Sequence, residues 1–465
     1  MKIEGKRKRK KFKRTISLIK KSNLEILNRF LRILSWLLPG LVIKRWMFTS
    51  GIGVITSLLG IAIWTNLRPL YWMIEIFFWV MNSITSILPV SLLGPIILFI
   101  GILLIGVGQN RSINSIQKAL VPRKDTFLVD ALRVKSKLSK GPNIVAIGGG
   151  TGLSTLLKGL KNYSSNISAI VTVTDDGGSS GVLRKQLGVQ PPGDIRNCLA
   201  ALSNEEPMLT RLFQYRFSRG DGLEGHTFGN LFLSTLTTIT GSLEKAVQAS
   251  SKVLSVQGQV IPATGIDVML WAELESGEKI FGESLISKSI KPINRIGCIP
   301  ENPPALPAAL ESIREADLII LGPGSLFTSL LPNLLVPEIV EALLNNKSPK
   351  IYISNLMTQP GETDGLDVFQ HIKSIERQLF NFGVNTRIFN SILSQGEFER
   401  SSLIDYYRSR GAEPVICNKS RLISDGYDVL QAPLYSKRIT PTLRHDSRRL
   451  ARAVIAMYRK LKRNS

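Results

Sequence analysis

Asn143–Leu153 has the sequence NIVAIGGGTGL, a short apolar run that breaks into Gly148, Gly149, Gly150, Thr151 and Gly152 and continues as LSTLLKGLKNY with helical spacing. A strand, a turn without bulky side chains and a helix N-terminus make a unit suited to phosphate. Glycine lets the backbone approach a ligand closely, and free N–H groups at the positive end of a helix attract an anion. As a GxGxxG fingerprint the match is incomplete, because Leu153 stands where the third glycine belongs. The competing reading is a glycine turn that only packs helix on strand.

The next strand candidate, Ile167–Val173, ends in Thr174-Asp175-Asp176-Gly177-Gly178-Ser179-Ser180-Gly181. In a doubly wound parallel sheet, ligands sit outside the carboxyl ends of the strands, so these first two tips are expected to face one crevice. Asp175 and Asp176 suit a ribose, a sugar hydroxyl or Mg²⁺; a capped turn is the alternative. Asp194, in PPGDIRNCL, is placed to cap a helix running to Leu202, with Arg196 in its first turn. An arginine there opposes the helix dipole and points to work on an anion, against a plain pairing with Glu205 or Glu206. Gly225–Leu231, which holds His226 and Asn230, opens an apolar helix; His226 is taken as structural or ligand-contacting, not as a catalyst.

From Gln257 to Ile286 the pattern is that of a β-hairpin turning at Ser276-Gly277-Glu278. A proline-rich connector and a helix around Ala308–Ala316 lead to a second strand–glycine–helix unit. It is Asp317–Leu321 followed by Gly322-Pro323-Gly324-Ser325, and Asn333 lies farther on. Two such cradles suit a diphosphate ligand or two phosphorylated partners. A further strand, Lys350–Asn355, ends in LMTQPGET. The chain closes on Arg444-His445-Asp446 and a basic amphipathic helix, Ser447–Lys462, most simply a solvated face.

The chain has 465 residues, room for two to four domains, and a formal net charge of +24. Between Lys2 and Lys21 eleven Lys/Arg stand against one acid, Glu4. This arm precedes an apolar region, which favours an anionic cytoplasmic leaflet over nucleic acid as its partner. The three cysteines, Cys198, Cys298 and Cys417, form no CxxC, as in a reduced compartment without a zinc site. Residues 46–67 and 90–107 are uncharged apart from their flanks and long enough to span roughly 30 Å of hydrocarbon. The aromatic stretch between them, with Glu75, is expected to lie at the far interface as a connector. Two spans put both basic flanks inside. The expected organisation is a basic cytoplasmic arm (1–45), a two-helix transmembrane hairpin (46–109), a linker (110–142) and a cytoplasmic α/β domain (143–465) at the inner membrane.

Seven blocks in order, IGGGTGLS, TDDGGSSGVLR, PPGDIRNCLAALS, GHTFGNL, LGPGSLFTSLLPN, NLMTQPGET and RHD, resemble the YvcK-like gluconeogenesis factor family, related to the CofD 2-phospho-L-lactate transferases. The arm and the anchor resemble those of membrane-attached versions. The resemblance implies a Rossmann-like CofD fold that binds a UDP-sugar, notably UDP-N-acetylglucosamine, and helps set cell shape and wall synthesis on gluconeogenic carbon sources. It implies contacts to the nucleotide sugar from Thr151, Asn333 and Arg444. In the transferase relatives the positions of Asp175, Asp176 and Arg196 hold the deazaflavin acceptor. The expected site therefore comprises Gly148–Gly152, Asp175, Asp176, Ser179, Ser180, Arg196, Asn230, Gly322, Gly324, Ser325, Asn333 and Arg444, with Mg²⁺ on Asp175 and Asp176 if a metal is used.

Three functions are compatible with the residues. The first is a nucleotide-sugar-binding regulator without turnover, with cell-wall enzymes as partners and homo-oligomers left open. The second is a transferase moving a phosphorylated group from a nucleoside diphosphate to an alcohol. The third, an NAD-dependent oxidoreductase, lacks the third glycine and any evident hydride-site constellation.

Overall fold

The computed structural model describes residues 42–64, 68–85, 95–96, 98–104, 107–108 and 128–464, apart from 205–206, 290, 399–401 and 436–442. It divides into two units, Met1–Ser136 and Lys137–Ser465. In the first, helices run over Val42–Trp64 and Arg68–Thr85. The second of these covers the expected connector: Glu75 and its aromatic neighbours are helical, with an apolar stretch from Tyr71 to Val80. Trp64, Trp72, Phe77, Phe78 and Trp79 are all exposed. Among the described residues no single helix is long and apolar enough to cross a membrane. The arm up to residue 41 lies outside the described residues, as do 90–94, 97 and 105–106 of the expected second span, whose other residues are helical. Of the expected linker, Leu128–Ser139 is helical.

Among the described residues the second unit has ten strands: β1 (Ile144–Gly148), β2 (Ile167–Val171), β3 (Gln259–Pro262), β4 (Met269–Leu274), β5 (Lys279–Phe281), β6 (Ile293–Ile299), β7 (Leu318–Leu321), β8 (Lys350–Ile353), β9 (Ser391–Gln395) and β10 (Asp428–Ala432). Seven of them form a parallel sheet in the order β10-β9-β8-β7-β1-β2-β3, and β5-β4-β6 form a small antiparallel sheet. The doubly wound α/β expectation therefore holds for the main sheet. The hairpin at Gly277 is β4–β5, whereas Gln259–Pro262, grouped with it above, is the parallel edge strand beside β2.

The apolar runs IVAI and LIIL are continuous because both faces of the sheet are covered. Ile144, Ala146, Leu318 and Ile320 face the helices Gly150–Leu160, Gly193–Leu202 and Ser447–Asn464. Val145, Ile147, Ile319 and Leu321 face the helices Pro307–Arg314, Pro337–Asn345 and Val368–Phe380. Packing decides the helix after β1. Its three glycines cost about 1 kcal/mol each relative to alanine, while burial of Leu153, Leu156, Leu157 and Leu160 contributes roughly 2 kcal/mol apiece. Gly159 admits the last helix, since a Cβ there would lie 2.0 Å from the Ser447 carbonyl oxygen.

The chain winds from β1 through β2 to β3 on one side, then returns to β7 on the other side of β1. The β1/β7 boundary is thus the topological switch point, where open α/β sheets form their ligand crevice. The Gly322 N–H donates to the Ile147 carbonyl at 2.9 Å, so the two glycine turns leave the sheet side by side.

Candidate functional site

The two turns touch. A Cβ on Gly152 would lie 2.3 Å from the Pro323 carbonyl oxygen, so only glycine fits there without displacing backbone. The first turn opens directly into the helix Gly150–Leu160; the second opens through a π-helical turn, Leu326–Leu330. The Ser325 hydroxyl caps that turn by accepting from the Thr328 N–H at 3.2 Å.

A cleft of 400 Å³ lies over this junction. Its lining combines Gly150, Thr151, Gly152 and Thr155 with Gly324, Ser325, Thr328 and Ser329. Asn355–Met357 and Gln359 after β8, together with Glu283, Tyr407 and Leu443–His445, complete it. A larger hollow of 730 Å³ lies between the helices Pro307–Arg314 and Pro337–Asn345, but no glycine turn opens into it. Chemistry, not size, selects the cleft.

Each turn carries a carboxylate from another part of the chain. Asp194 does not cap its own helix, as the sequence suggested; its Oδ2 accepts the Gly150 N–H at 2.7 Å. Burial, reinforced by the charge of Asp175, pushes Asp194 up to about 6. Glu362, from the loop after β8, accepts from the Ser325 hydroxyl and from Ser287 Oγ at 3.2 Å. Burial raises its pKa against these hydrogen bonds and one from the Phe327 N–H. Glu283 joins the group at the cleft edge. Burial, then the charges of Asp175, Asp176, Asp194 and Glu362, push it up to about 7.

Of the expected residues, Gly150, Thr151, Gly152, Gly324, Ser325 and Arg444 line the cleft, and Arg444 is exposed there. Asp175, Asp176, Ser179, Ser180, Arg196 and Asn230 instead form an adjacent polar cluster. Asp175 Oδ1 accepts the Gly177 N–H at 2.9 Å, and Asp176 Oδ1 accepts from the Ser284 N–H at 2.7 Å and hydroxyl at 2.6 Å. Asn230 Nδ2 donates to Ser179 Oγ, which is 3.0 Å from His226 Nδ1. Arg196 donates to Asn197 Oδ1 while its buried Nε has no partner. Burial, then the nearby Arg216, lowers its pKa against the pull of Asp194 and Asp175. The alternative partners Glu205 and Glu206 lie outside the described residues.

Gly148, Gly149, Gly322 and Asn333 sit behind the cleft. Asn333 is fully buried, and its Nδ2 donates to the carbonyls of Ser329 at 2.8 Å and Gly148 at 3.2 Å. It fastens the second turn to the end of β1. The two aspartates considered for Mg²⁺ spend oxygens on different backbone segments. Among the described residues no group of three or more His, Cys, Asp or Glu could hold a metal.

Comparison with known proteins agrees with this architecture. The family model "2-phospho-L-lactate transferase CofD" matches residues 144–435. A putative gluconeogenesis factor of Nostoc sp. (strain PCC 7120) is 50% identical over 428 residues, covering 91% of this chain and 92% of the relative. The chain belongs to the gluconeogenesis factor family, with a CofD domain. The gluconeogenesis factor of Bacillus subtilis (strain 168) is 44% identical over 318 residues, 68% of this chain and 98% of that one. An X-ray crystal structure of a Bacillus halodurans protein superposes with a TM-score of 0.65 at 45% identity, covering 68% of this chain and all of that one. The Bacillus chains thus correspond to the second unit. The match to the Nostoc factor, at 428 residues, is longer than the 329 residues of Lys137–Ser465 and so reaches into the N-terminal region.

To the residues expected from the sequence the cleft adds Glu283, Gln359, Tyr407 and His445, and Asp194 and Glu362 lie beneath it. Burial pushes His445 down to about 4, and its enclosed Nε2 has no partner. Glu362 lies within the quoted block NLMTQPGET, but nothing in its spacing pointed to Ser325.

Proposed function

We propose that the cleft binds a UDP-sugar, UDP-N-acetylglucosamine foremost, and that the protein is a nucleotide-sugar-binding gluconeogenesis factor acting on cell shape and wall synthesis without turnover of its own. The observation that carries this reading is the pair of contacting glycine turns at the β1/β7 switch point, opening into one 400 Å³ cleft with the exposed Arg444 on its wall. Ser329 and Thr151 supply hydroxyls, and Arg444 a guanidinium, for the phosphates and the sugar. The test is calorimetry of residues 137–465 with UDP-N-acetylglucosamine, GDP and NAD. Saturable binding of the UDP-sugar is expected, and binding of NAD alone would overturn the reading. Thr151→Ala and Arg444→Ala are each expected to weaken binding by about 1–3 kcal/mol, the usual cost of removing a polar partner.

A second reading draws on the carboxylates. Glu283, with a pKa near neutrality, stands at the cleft edge beside Asp194 and Asp175, as a general base for an acceptor alcohol would. A transferase moving a phospholactyl-type group is the corresponding activity, and release of a nucleoside monophosphate in the presence of an alcohol would establish it.

The exposed aromatic surface of the first unit, rare on a water-facing monomer, supports an anchor in the inner membrane with the basic arm and the nucleotide-binding unit on the cytoplasmic side. Such a tether would hold a UDP-sugar sensor beside wall-precursor enzymes. Deleting residues 1–110 is expected to release the protein to the soluble fraction at high salt; unchanged sedimentation with membranes at high salt would refute the anchor.

A further inference from the structure

The last helix, Ser447–Asn464, carries seven Lys or Arg and no acid. Leu450, Ala451, Val454, Ile455, Met457 and Tyr458 bury one side of it against the sheet layer. At about 100° per residue, Arg448, Arg452, Arg459 and Arg463 fall within a sector of roughly 60° on the other side. All four are exposed, as are Lys460 and Lys462 beside them. Arg449 points elsewhere, to the Tyr435 carbonyl. Among the described residues no acid pairs with any of the four stripe arginines.

This stripe does not help the fold. Arg448/Arg452 and Arg459/Arg463 are like-charge pairs at i,i+4, each of which destabilises a helix slightly. Arg448 and Arg452 also lie in its N-terminal turns, against the dipole. A face that only needs solvent tolerates acids among its bases, and such mixing would stabilise this helix. A one-sign stripe on a buried scaffold suits an extended anionic surface.

We propose that the arginine stripe docks the Lys137–Ser465 unit on the anionic headgroups of a lipid bilayer. The exposed aromatic side chains of the first unit favour a bilayer over nucleic acid as the source of those anions. The inference goes beyond the nucleotide-sugar reading and leans on the anchor only for proximity. Docking adds a second, salt-sensitive contact to an apolar one, and it is independent of what fills the cleft.

The unit folds without the N-terminal region in the Bacillus halodurans structure, whose whole chain it covers, so residues 137–465 serve for the test. Co-sedimentation is measured with phosphatidylcholine vesicles, with and without phosphatidylserine, at low and high salt. Binding only to the phosphatidylserine vesicles is expected, lost at high salt. Each arginine near the surface contributes about five-fold to partitioning, so the double variant Arg452→Glu/Arg459→Glu is expected to lose more than ten-fold. Its UDP-N-acetylglucosamine calorimetry should match that of the parent and shows that it is folded. Equal sedimentation of parent and variant, no binding to phosphatidylserine, or tighter retention on duplex DNA than on the vesicles would each overturn docking. Calorimetry without a UDP-sugar signal would sink the nucleotide reading and leave the vesicle result standing. Failure of the anchor appears only in the full chain.

Discussion

The two glycine turns look alike as sequence and differ in how they are held. Both follow an apolar strand, both open a helix, and each receives a carboxylate from a distant segment. The first gives a backbone N–H, that of Gly150, to Asp194; the second gives both a side-chain hydroxyl, that of Ser325, and the Phe327 N–H to Glu362. Asp194 occupies part of the donor set on which a phosphate-binding helix N-terminus relies. In the second turn Thr328 gives its hydroxyl to Ser325, and the cleft-lining Ser329 remains beside the acid. An anionic ligand on this cleft therefore meets hydroxyls and Arg444 more readily than free main-chain amides. That changes the expected chemistry from an amide nest to a mixed cradle.

The comparison breaks most severely if the turns are not in contact. Gly152→Val is expected to cost about 3 kcal/mol, the upper range for overpacking, and to close the cleft. Urea unfolding checks the stability, and an unchanged midpoint would mean that Gly152 does not touch Pro323. A sharper test separates the two carboxylates. Glu362→Ala strands the Ser325 hydroxyl and the Phe327 N–H, and is expected to cost about 2 kcal/mol. Asp194→Ala frees one N–H while removing a costly buried charge, so about 1 kcal/mol is expected. Thermal unfolding at pH 8 ranks the pair, and the opposite order would reverse the assignment of which turn depends more on its acid.

The smallest effect is in the pH profile. The folded protein holds protons on Asp194 up to about 6 and on Glu283 up to about 7, against 3.8 and 4.5 for ordinary Asp and Glu. In that window the folded state binds more protons than the unfolded chain, so stability falls as pH rises from about 4 to beyond 7. Glu283→Gln removes its share of this slope. Relative to the parent, its unfolding midpoint should be higher at pH 8 than at pH 5, by 1 kcal/mol or less in stability terms after solvent screening (about that size). A parallel profile for the two proteins would show that Glu283 does not feel its acidic neighbours.

Much of the fold is legible in order along the chain. The runs at 144, 167, 318 and 350 are strands because they are apolar on both faces, and the glycine turns mark their tips. The strands β6, β9 and β10 are not legible in the sequence. INRIGCI mixes Asn294 and Arg295 into its pattern, and SILSQ and DVLQA are short and rich in polar residues. Gln395 and Ser394 are nevertheless buried, because neighbouring strands satisfy their backbone and side-chain partners supply the rest.

From residues alone came the family, the order of the strands along the chain, the two glycine turns and the concentration of positive charge at the ends. Those are local properties: periodicity, backbone freedom and composition act over a few residues. Only the folded chain decided which strands are neighbours, and so that β7 rather than a later strand borders β1. It also decided that Asn333 faces inward, and that Asp194 and Glu362 reach the turns from 44 and 37 residues away. Those contacts depend on long-range packing, because burial raises the energy of an unpaired charge or amide until a partner from elsewhere in the chain is brought to it.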